Sequence, residues 1–301
     1  MDYDDVVAAF FAPTPPGTPA PESVTQGGPA RRLRDAAEPI ATYPIWARRV
    51  NEALAEHGLD FLTGYVWGRV TALGVPSPGV AAAAFAWFEP GLVGALYEGG
   101  RSALSRETLL EVRDREVSAG LAEVLDGEDV GPIADRLLEA VTGLDVAGRP
   151  LYAGLLDRPL PADPAGRLHR ACELVREHRG DAHAAAAVAA GLGAVEMNVL
   201  TELWTGMALG SYSGTRGWST EAIGAATLRL ERRGWVRDDA LTDAGRGQRR
   251  ELEAATDLAE QPVVDDLGED LPLVVERLAA WSERCIAAGA FPPDPLKRAA
   301  G

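Results

Sequence analysis

The segment 219–250 constrains the fold more than any other part of the chain. It reads as a helix over 219–233 that stops at Gly234, then two short strands over 235–237 and 240–242 joined by an Asp238-Asp239 turn, then a new helix. Glycine commonly ends helices, and aspartate is favoured in tight turns. A helix, a tight two-stranded ribbon and a second helix form a winged helix-turn-helix. The sequence therefore predicts a mainly α-helical fold with a small two-stranded β wing.

The residue pattern of this segment resembles that of the multiple-antibiotic-resistance regulator (MarR-like) class of winged helices. The residues that carry the resemblance are Leu228, Leu230, Glu231, Arg233, Gly234, Trp235, Val236, Leu241, Thr242, Ala244, Gly245, Arg246, Arg249, Leu252 and Glu253.

Four further segments widen the resemblance. They are FLTGYVWGRVTALGVPSPGVAAAAFAWFEP, AGRPLYAG, LVREHRGDAHAAAAVAAGL and TRGWSTEAIGAATLRLERRGWV. Together they look like an actinobacterial family of helix-turn-helix proteins of unassigned activity, over most of 31–260. This resemblance implies a tandem arrangement with a degenerate helix-turn-helix in the N-terminal half, and it brings no established reaction with it.

Composition shifts along the chain suggest four regions. A proline-rich stretch over 145–166 is predicted to be a long irregular connection, and it places a domain boundary near residue 160. The N-terminal segment is either a flexible tether whose apolar start contacts its own chain or a peptide that docks on a partner. The predicted regions are an acidic, proline-rich tail over 1–30, an N-terminal helical domain with the degenerate helix-turn-helix over 31–160, a MarR-like winged-helix domain over 161–260, and a C-terminal amphipathic helix and tail over 261–301.

Charge argues against nucleic acid as the main partner. The net charge is -16, whereas proteins bind the phosphate backbone by neutralising it with Lys and Arg. The start of the expected recognition helix, 219–225, contains no Arg, Asn or Gln to read base edges, and Glu221 would repel phosphates. The segment 211–250 nevertheless holds eight Arg against five acidic residues, so DNA binding remains possible although it is disfavoured.

Several features predict a cytoplasmic protein without a membrane segment or a cofactor. The two cysteines, Cys172 and Cys285, form no CxxC motif, which is typical of a reducing compartment. No start resembling a signal peptide and no long uninterrupted apolar run are present. The final helix carries an apolar stripe that includes Leu271 and Leu278, which makes a homodimer a reasonable expectation.

The most polar run near the expected core is 176–183. One interpretation ends a helix at 178–180 and lets Asp181 cap the next helix. A second is a ligand pocket in which Arg and His recognise an anionic or hydroxylated molecule. A metal site is a third, but the spacing of His178, Asp181 and His183 matches no standard zinc motif, so we predict no metal. His169 is expected on the surface.

If the two halves pack together, aromatic and basic residues from both can line one cleft with this run. The candidate ligand-binding residues are Tyr65, Trp67, Arg69, Arg176, His178, Arg179, Asp181, His183, Tyr212, Arg216 and Trp218.

These observations favour a winged-helix-derived protein that binds a small molecule or a protein partner in the cleft, with DNA reading lost. The first alternative is a ligand-responsive transcriptional regulator. The second is an enzyme of specialised metabolism, with His178, Asp181 and His183 as candidate acid/base groups, although no standard catalytic motif is present and the catalytic residues stay unknown.

Overall fold

A computed structural model describes residues 2–11 and 27–300 of the chain. The expected flexible tail falls mostly on residues 12–26, which lie outside the described residues. The first helix, α1 (Tyr3–Phe10), packs the Phe10 and Phe11 rings against Trp46. The hydroxyl of Tyr3 donates to the Trp46 carbonyl. The described part of the N-terminal segment therefore contacts its own chain.

Helices α2 to α10 build the first half of the fold. They are α2 (Pro29–Ala41), α3 (Tyr43–Trp46), α4 (Arg48–Ala55), α5 (Phe61–Val70), α6 (Pro78–Phe85), α7 (Pro90–Ala103), α8 (Arg106–Val124), α9 (Gly131–Thr142) and α10 (Pro150–Leu156). Asp60 caps the start of α5 by accepting from the Thr63 amide at 2.9 Å, and Pro78 is the first residue of α6, where Ser77 makes no side-chain capping bond.

The segment 145–166 was expected to be an irregular connection, but it contains helix α10. The prolines at 159, 161 and 164 follow this helix rather than interrupt it, and Pro150 begins it. The helix packs on the short 3-10 turn Thr71–Leu73, where a Cβ on Gly154 would come within 1.9 Å of the Ala72 carbonyl oxygen. Tertiary packing therefore stabilises a helix that is not predicted from the proline-rich composition of the segment.

The predicted helix end at 178–180 is wrong, because these residues lie inside helix α11 (Pro164–Ala189). It runs unbroken through Gly180, and its polar residues are bonded to partners on other elements instead of ending the helix. His169, expected on the surface, is 4% exposed within it, and burial lowers the pKa of this imidazole to about 4. The polar run is therefore the buried middle of one long helix.

The winged unit follows α11 and confirms the predicted pattern closely. It comprises α12 (Ala194–Thr205), α13 (Thr220–Arg232), β1 (Val236–Arg237), β2 (Ala240–Leu241) and α14 (Asp243–Ala259). The strands are antiparallel, with Val236 opposite Leu241, and Asp238 and Asp239 both adopt positive φ as a tight hairpin turn requires. The fold is thus a mainly α-helical helix-turn-helix with a two-stranded wing.

Two hydrophobic clusters make up the core. The first joins α2–α10 and the first part of α11 to the C-terminal helices α15 (Gln261–Leu267) and α16 (Leu271–Ala287). The second lies within the winged unit and the end of α11, between Ala187 and Leu252. A last helix, α17 (Pro295–Ala300), packs on α2 and α12. Because α11 contributes to both clusters, its middle turns lie at the junction between them.

Both cysteines are buried and unbridged. Among the described helices, none alone has the length and apolar character needed to cross a membrane; one bent pair, α11 with α12, meets the test on length and composition only. No group of three or more metal-ligating side chains comes together in residues 2–11 and 27–300.

Candidate functional site

A cavity of about 120 Å³ lies at the junction of the two clusters. We call it the junction cavity. Seven structural elements and two loops supply its walls. Its polar and aromatic lining residues are Arg31, Arg34, Glu38, Tyr65, Arg69, Phe85, Trp87, Phe88, Arg176, Glu177, Arg179, Asp181, His183, Asn198, Thr201, Tyr212, Arg216, Arg249 and Glu253.

Eight of the eleven candidate residues from the sequence line this cavity. They are Tyr65, Arg69, Arg176, Arg179, Asp181, His183, Tyr212 and Arg216. The structure therefore brings residues from the two halves of the chain together at one cavity.

Three candidates lie elsewhere. Trp67 is buried in the first cluster, where its indole N–H donates to the Leu104 carbonyl at 2.9 Å. The Nδ1 atom of His178 is bonded to Glu260, and its ring packs on Tyr152. Trp218 packs on the second cluster beside the cavity. His178 thus does not share the junction cavity with Asp181 and His183, and the proposed acid/base trio does not converge there.

Asp181 caps a helix, but not the one that the sequence suggests. One carboxylate oxygen accepts from the backbone amides of Leu151 and Tyr152, at 3.0 and 3.1 Å, which are free donors at the start of α10. Burial raises the pKa of Asp181 from 3.8 to about 6, against the lowering effect of the Tyr152 amide. The carboxylate therefore fixes α10 to α11 across one wall of the cavity.

Glu253 on α14 is the centre of a buried arginine network that the sequence analysis missed. Its carboxylate pairs with Arg31 at 3.3 Å, with Arg179 at 3.1 Å and with Arg249. Burial by itself would raise the pKa of Glu253, but the guanidinium groups, Arg249 first, hold that pKa well below its usual range. The three arginines come from α2, α11 and α14, so only the fold reveals the cluster.

A second network connects α2, α5 and α11. Arg69 forms a two-pronged bond to Glu177, at 3.0 and 2.7 Å, and Arg176 contacts both Glu177 and Glu38. Arg34 and Glu38 are four residues apart on α2, and this spacing indicates from sequence that they lie on the same face of the helix. Both carboxylates are 4% exposed, so the network lies in a largely dry environment.

The loop between α12 and α13 is held by one buried carboxylate. Glu202, with no exposed surface, accepts from the backbone amides of Gly210, Tyr212 and Ser213 at 2.7–2.9 Å. This places Tyr212 and Arg216 over the cavity. The sequence gives no distinct signal for this role, because α12 also contains Glu196 and Asn198 and the amides that Glu202 accepts from lie 8–11 residues further along the chain.

Arg216 differs from the other cavity arginines. Its Nη1 donates to the Tyr212 carbonyl at 3.1 Å and to the Thr215 hydroxyl at 2.9 Å, and its Nε atom is buried with no partner among the described residues. The guanidinium carbon lies over the rings of Tyr212 and Phe88. Arg216 is therefore a partly buried cation held by aromatic faces and neutral acceptors.

The aromatic residues at the end of α6 that line the cavity lie in a strained turn. Ala86 has φ 55° and ψ -56°, and the Trp87 amide donates to the Phe85 carbonyl at 2.6 Å, which together define a γ-turn that is rare for a non-glycine residue. The Trp87 carbonyl accepts from Asn198 and Trp218 at 2.8 and 2.9 Å. This turn thus joins the helical half to the winged unit.

His183 is neutral and its tautomer is fixed by its neighbour. Burial lowers the pKa of His183 to about 3, and the Arg249 charge acts in the same direction. The Thr256 hydroxyl donates to the Leu252 carbonyl at 2.7 Å, so it accepts from His183 Nδ1 at 2.9 Å. The proton is therefore on Nδ1, and Nε2 carries a free lone pair.

The end of α17 covers part of the cavity. Arg31 donates to the Ala299 carbonyl at 2.8 Å, and Tyr212 donates to the Ala300 carbonyl at 3.0 Å. Backbone carbonyls are weaker acceptors than carboxylates. An anion inside the cavity would thus compete well for these donors.

The outward face of the winged unit has a different character. Glu221, Gly224, Ala225 and Leu228 are exposed along α13, and the wing ends in two aspartates. Arg229 pairs with Glu196 at 2.9 Å. Of the eight arginines in 211–250, Arg216 and Arg249 line the junction cavity, and the other six are exposed.

Residues 30–292 match a helix-turn-helix family, and the chain belongs to that family. The match covers both hydrophobic clusters and includes most of the cavity lining. No curated protein and no solved structure shows significant similarity to the chain. The finer resemblance to MarR-like and actinobacterial proteins stays a prediction.

Proposed function

We propose that this helix-turn-helix protein binds a small anionic molecule in the junction cavity and that its winged unit no longer reads DNA. The observation that carries the proposal is the concentration of seven arginines around one cavity in a protein of net charge -16. Buried guanidinium groups require compensation, and a site that gathers them is suited to an anion.

The size of the cavity favours a small molecule over a protein segment. A cavity of about 150 Å³ in another protein accommodates benzene, and the volume here is about 120 Å³. Tyr65, Phe85 and Phe88 form mutual ring contacts with centroids 5.3–5.9 Å apart along one wall. Flat apolar faces beside fixed cations suit a compact ligand with a conjugated, negatively charged group.

Two features support the loss of DNA reading. The exposed residues at the start of α13, over 220–225, offer no bidentate partner for a base, and an acidic wing tip repels the backbone. The loop before α13 is also tied to the helical half, because the Glu89 amide donates to the Arg216 carbonyl at 2.9 Å. The winged unit then serves as a wall of the ligand site.

A ligand-responsive regulator is the second candidate. The observation that favours it is the contact of the cavity with both clusters, through the γ-turn on one side and the 206–219 loop on the other. A ligand at that position could shift the winged unit relative to the helical half.

Native mass spectrometry of the protein purified from its own host, compared with a denatured sample, tests the proposal. We expect a stoichiometric small mass that is lost on denaturation. The Arg216→Gln variant should lose this mass, and Arg232→Gln, the same change on an exposed arginine, should retain it. Tight sequence-specific DNA binding at physiological salt would contradict the loss of DNA reading and bring the regulator forward.

A further inference from the structure

We infer that the ligand of the junction cavity carries one negative charge and also donates a hydrogen bond. This inference rests on the proposed function and names the class of ligand: a compact monoanion with a hydroxyl or N–H group. The argument has three steps, which concern the charge balance, the anion contact and the acceptor.

Among the side chains of the described residues, the charge balance of the cluster leaves one positive charge. Seven guanidinium groups line the cavity. Six carboxylates line it or pair with those arginines: Asp35, Glu38, Glu177, Asp181, Glu253 and Asp257. His183 adds no charge because it is neutral near pH 7. A monoanion therefore neutralises the cluster, whereas a dianion leaves a buried negative charge and a neutral ligand leaves a buried positive one.

Arg216 is the cation that this charge would meet. The other six cavity arginines each have a carboxylate partner within 4.0 Å. Arg216 has none in the described part of the chain, and its buried Nε atom is unpartnered. An anionic oxygen bonded to Nη2, which is accessible and has no partner among the described residues, satisfies a donor of Arg216 without breaking an existing ion pair.

His183 supplies the acceptor. Its Nδ1–H is committed to Thr256, and no other group in residues 2–11 and 27–300 donates to Nε2. A neutral imidazole nitrogen with a free lone pair accepts hydrogen bonds and cannot donate one. A ligand that has a hydroxyl or N–H in addition to its anionic group would fill this position beside Trp87, whose ring centroid is 5.7 Å from that of His183.

A panel of ring compounds of similar size tests both properties by isothermal titration calorimetry on the full chain. Benzoate is a monoanion, benzamide is its neutral analogue and phthalate is a dianion. In 4-hydroxybenzoate and 4-fluorobenzoate, a donor is compared with a group of similar size that cannot donate. We expect benzoate to bind at least about 10-fold more tightly than benzamide and phthalate, and the hydroxyl to add about 5-fold over fluorine.

Two variants assign these preferences to residues. Arg216→Gln should remove most of the preference for benzoate over benzamide, and Arg232→Gln should leave it unchanged. His183→Phe should remove the advantage of the hydroxyl over fluorine and retain the preference for a monoanion. Far-ultraviolet circular dichroism and the thermal midpoint confirm that each variant is folded before its binding is compared.

The outcomes separate the inference from the proposed function. If benzamide or phthalate binds as tightly as benzoate, or if the hydroxyl gives no advantage, the inference is overturned and the ligand site stands. If no member of the panel binds and the host-purified protein carries no small mass, the proposed function fails as well.

Discussion

The inward and outward faces of the winged unit use the same residue types in opposite ways. On the inward face, Arg249 is 3% exposed and pairs with Glu253 inside a network that includes Arg31 and Arg179. On the outward face, the wing tip is acidic and α13 exposes Glu221, Gly224 and Ala225 in its first turns. One segment of 40 residues, 211–250, supplies both faces. The total charge of this segment therefore does not predict what the winged unit binds. What it binds depends on the direction in which each side chain points.

The inward face is also the costlier one to maintain. Charges removed from water stabilise a fold only when their geometry is good, and a well-packed apolar cluster is often as stable. A network of this size at a cavity is therefore better explained by recognition than by stability. Ion pairs on the outward face are exposed to water, so they change the free energy of unfolding little in either direction.

The largest expected effect comes from removing the centre of the inward network. Glu253→Gln leaves the guanidinium groups of Arg31, Arg179 and Arg249 close together without the carboxylate that they share. We expect the free energy of unfolding, measured in urea at pH 7, to fall by about 3–5 kcal/mol.

The matched control is Glu251→Gln, on the same helix but exposed. It should change the free energy of unfolding by less than about 0.5 kcal/mol. An equal effect of the two substitutions would show that the inward and outward faces do not differ in electrostatic importance, and would remove the basis of the comparison.

A smaller effect of the opposite sign is expected at Asp181. Its pKa of about 6 in the folded protein exceeds the ordinary value of 3.8, so the folded state binds a proton more readily than the unfolded state. The unfolding free energy therefore falls as pH rises from about 4 to about 6. Asp181→Asn keeps an oxygen for the two amides of α10 and removes the buried charge, so it should add about 1–3 kcal/mol at pH 7.5.

Chemical denaturation of both proteins from pH 4 to pH 8 measures this effect. The two stability curves should meet near pH 4, separate progressively between pH 4 and pH 6, and keep a constant difference above pH 6. Asp238→Asn, the same change at the exposed wing tip, should show no such separation. If Asp181→Asn is instead less stable at pH 7.5, the ionised carboxylate is needed to fix α10, and desolvation is not the dominant effect.

The winged unit was predictable from sequence because its signals are local. Ser219 caps the Ala222 amide at 3.1 Å, Gly234 ends the helix and the two aspartates take positive φ. Each of these depends on neighbours within a few residues. The helix through Gly180 was not predictable in this way, because its continuity depends on partners such as Glu260 and the amides of α10.

The candidate site was recovered in part for the same reason. Arg176, Arg179 and His183 were found because they lie in one polar run of the sequence. Glu253 and Arg249 were missed because they sit in a helix that looks like an ordinary charged helix until α14 packs on α11. His178 lies on the same helix but faces Glu260, so it does not line the cavity. Spacing along a sequence does not show which partner a face will meet.

The smallest effects are expected on the outward face. Asp238→Asn with Asp239→Gly produces the asparagine-glycine pair that the same hairpin turn prefers, and it removes two negative charges from the wing tip. We expect the free energy of unfolding to rise by less than about 1 kcal/mol, because both new residues tolerate positive φ. Fluorescence anisotropy with a random DNA duplex at about 150 mM salt should show an affinity within about threefold of the unmodified protein, since neither substitution adds a phosphate contact. A gain of tenfold or more, with a steep dependence on salt, would mean that the acidic tip alone holds back a DNA-binding surface, and the contrast between the two faces would then reduce to two residues.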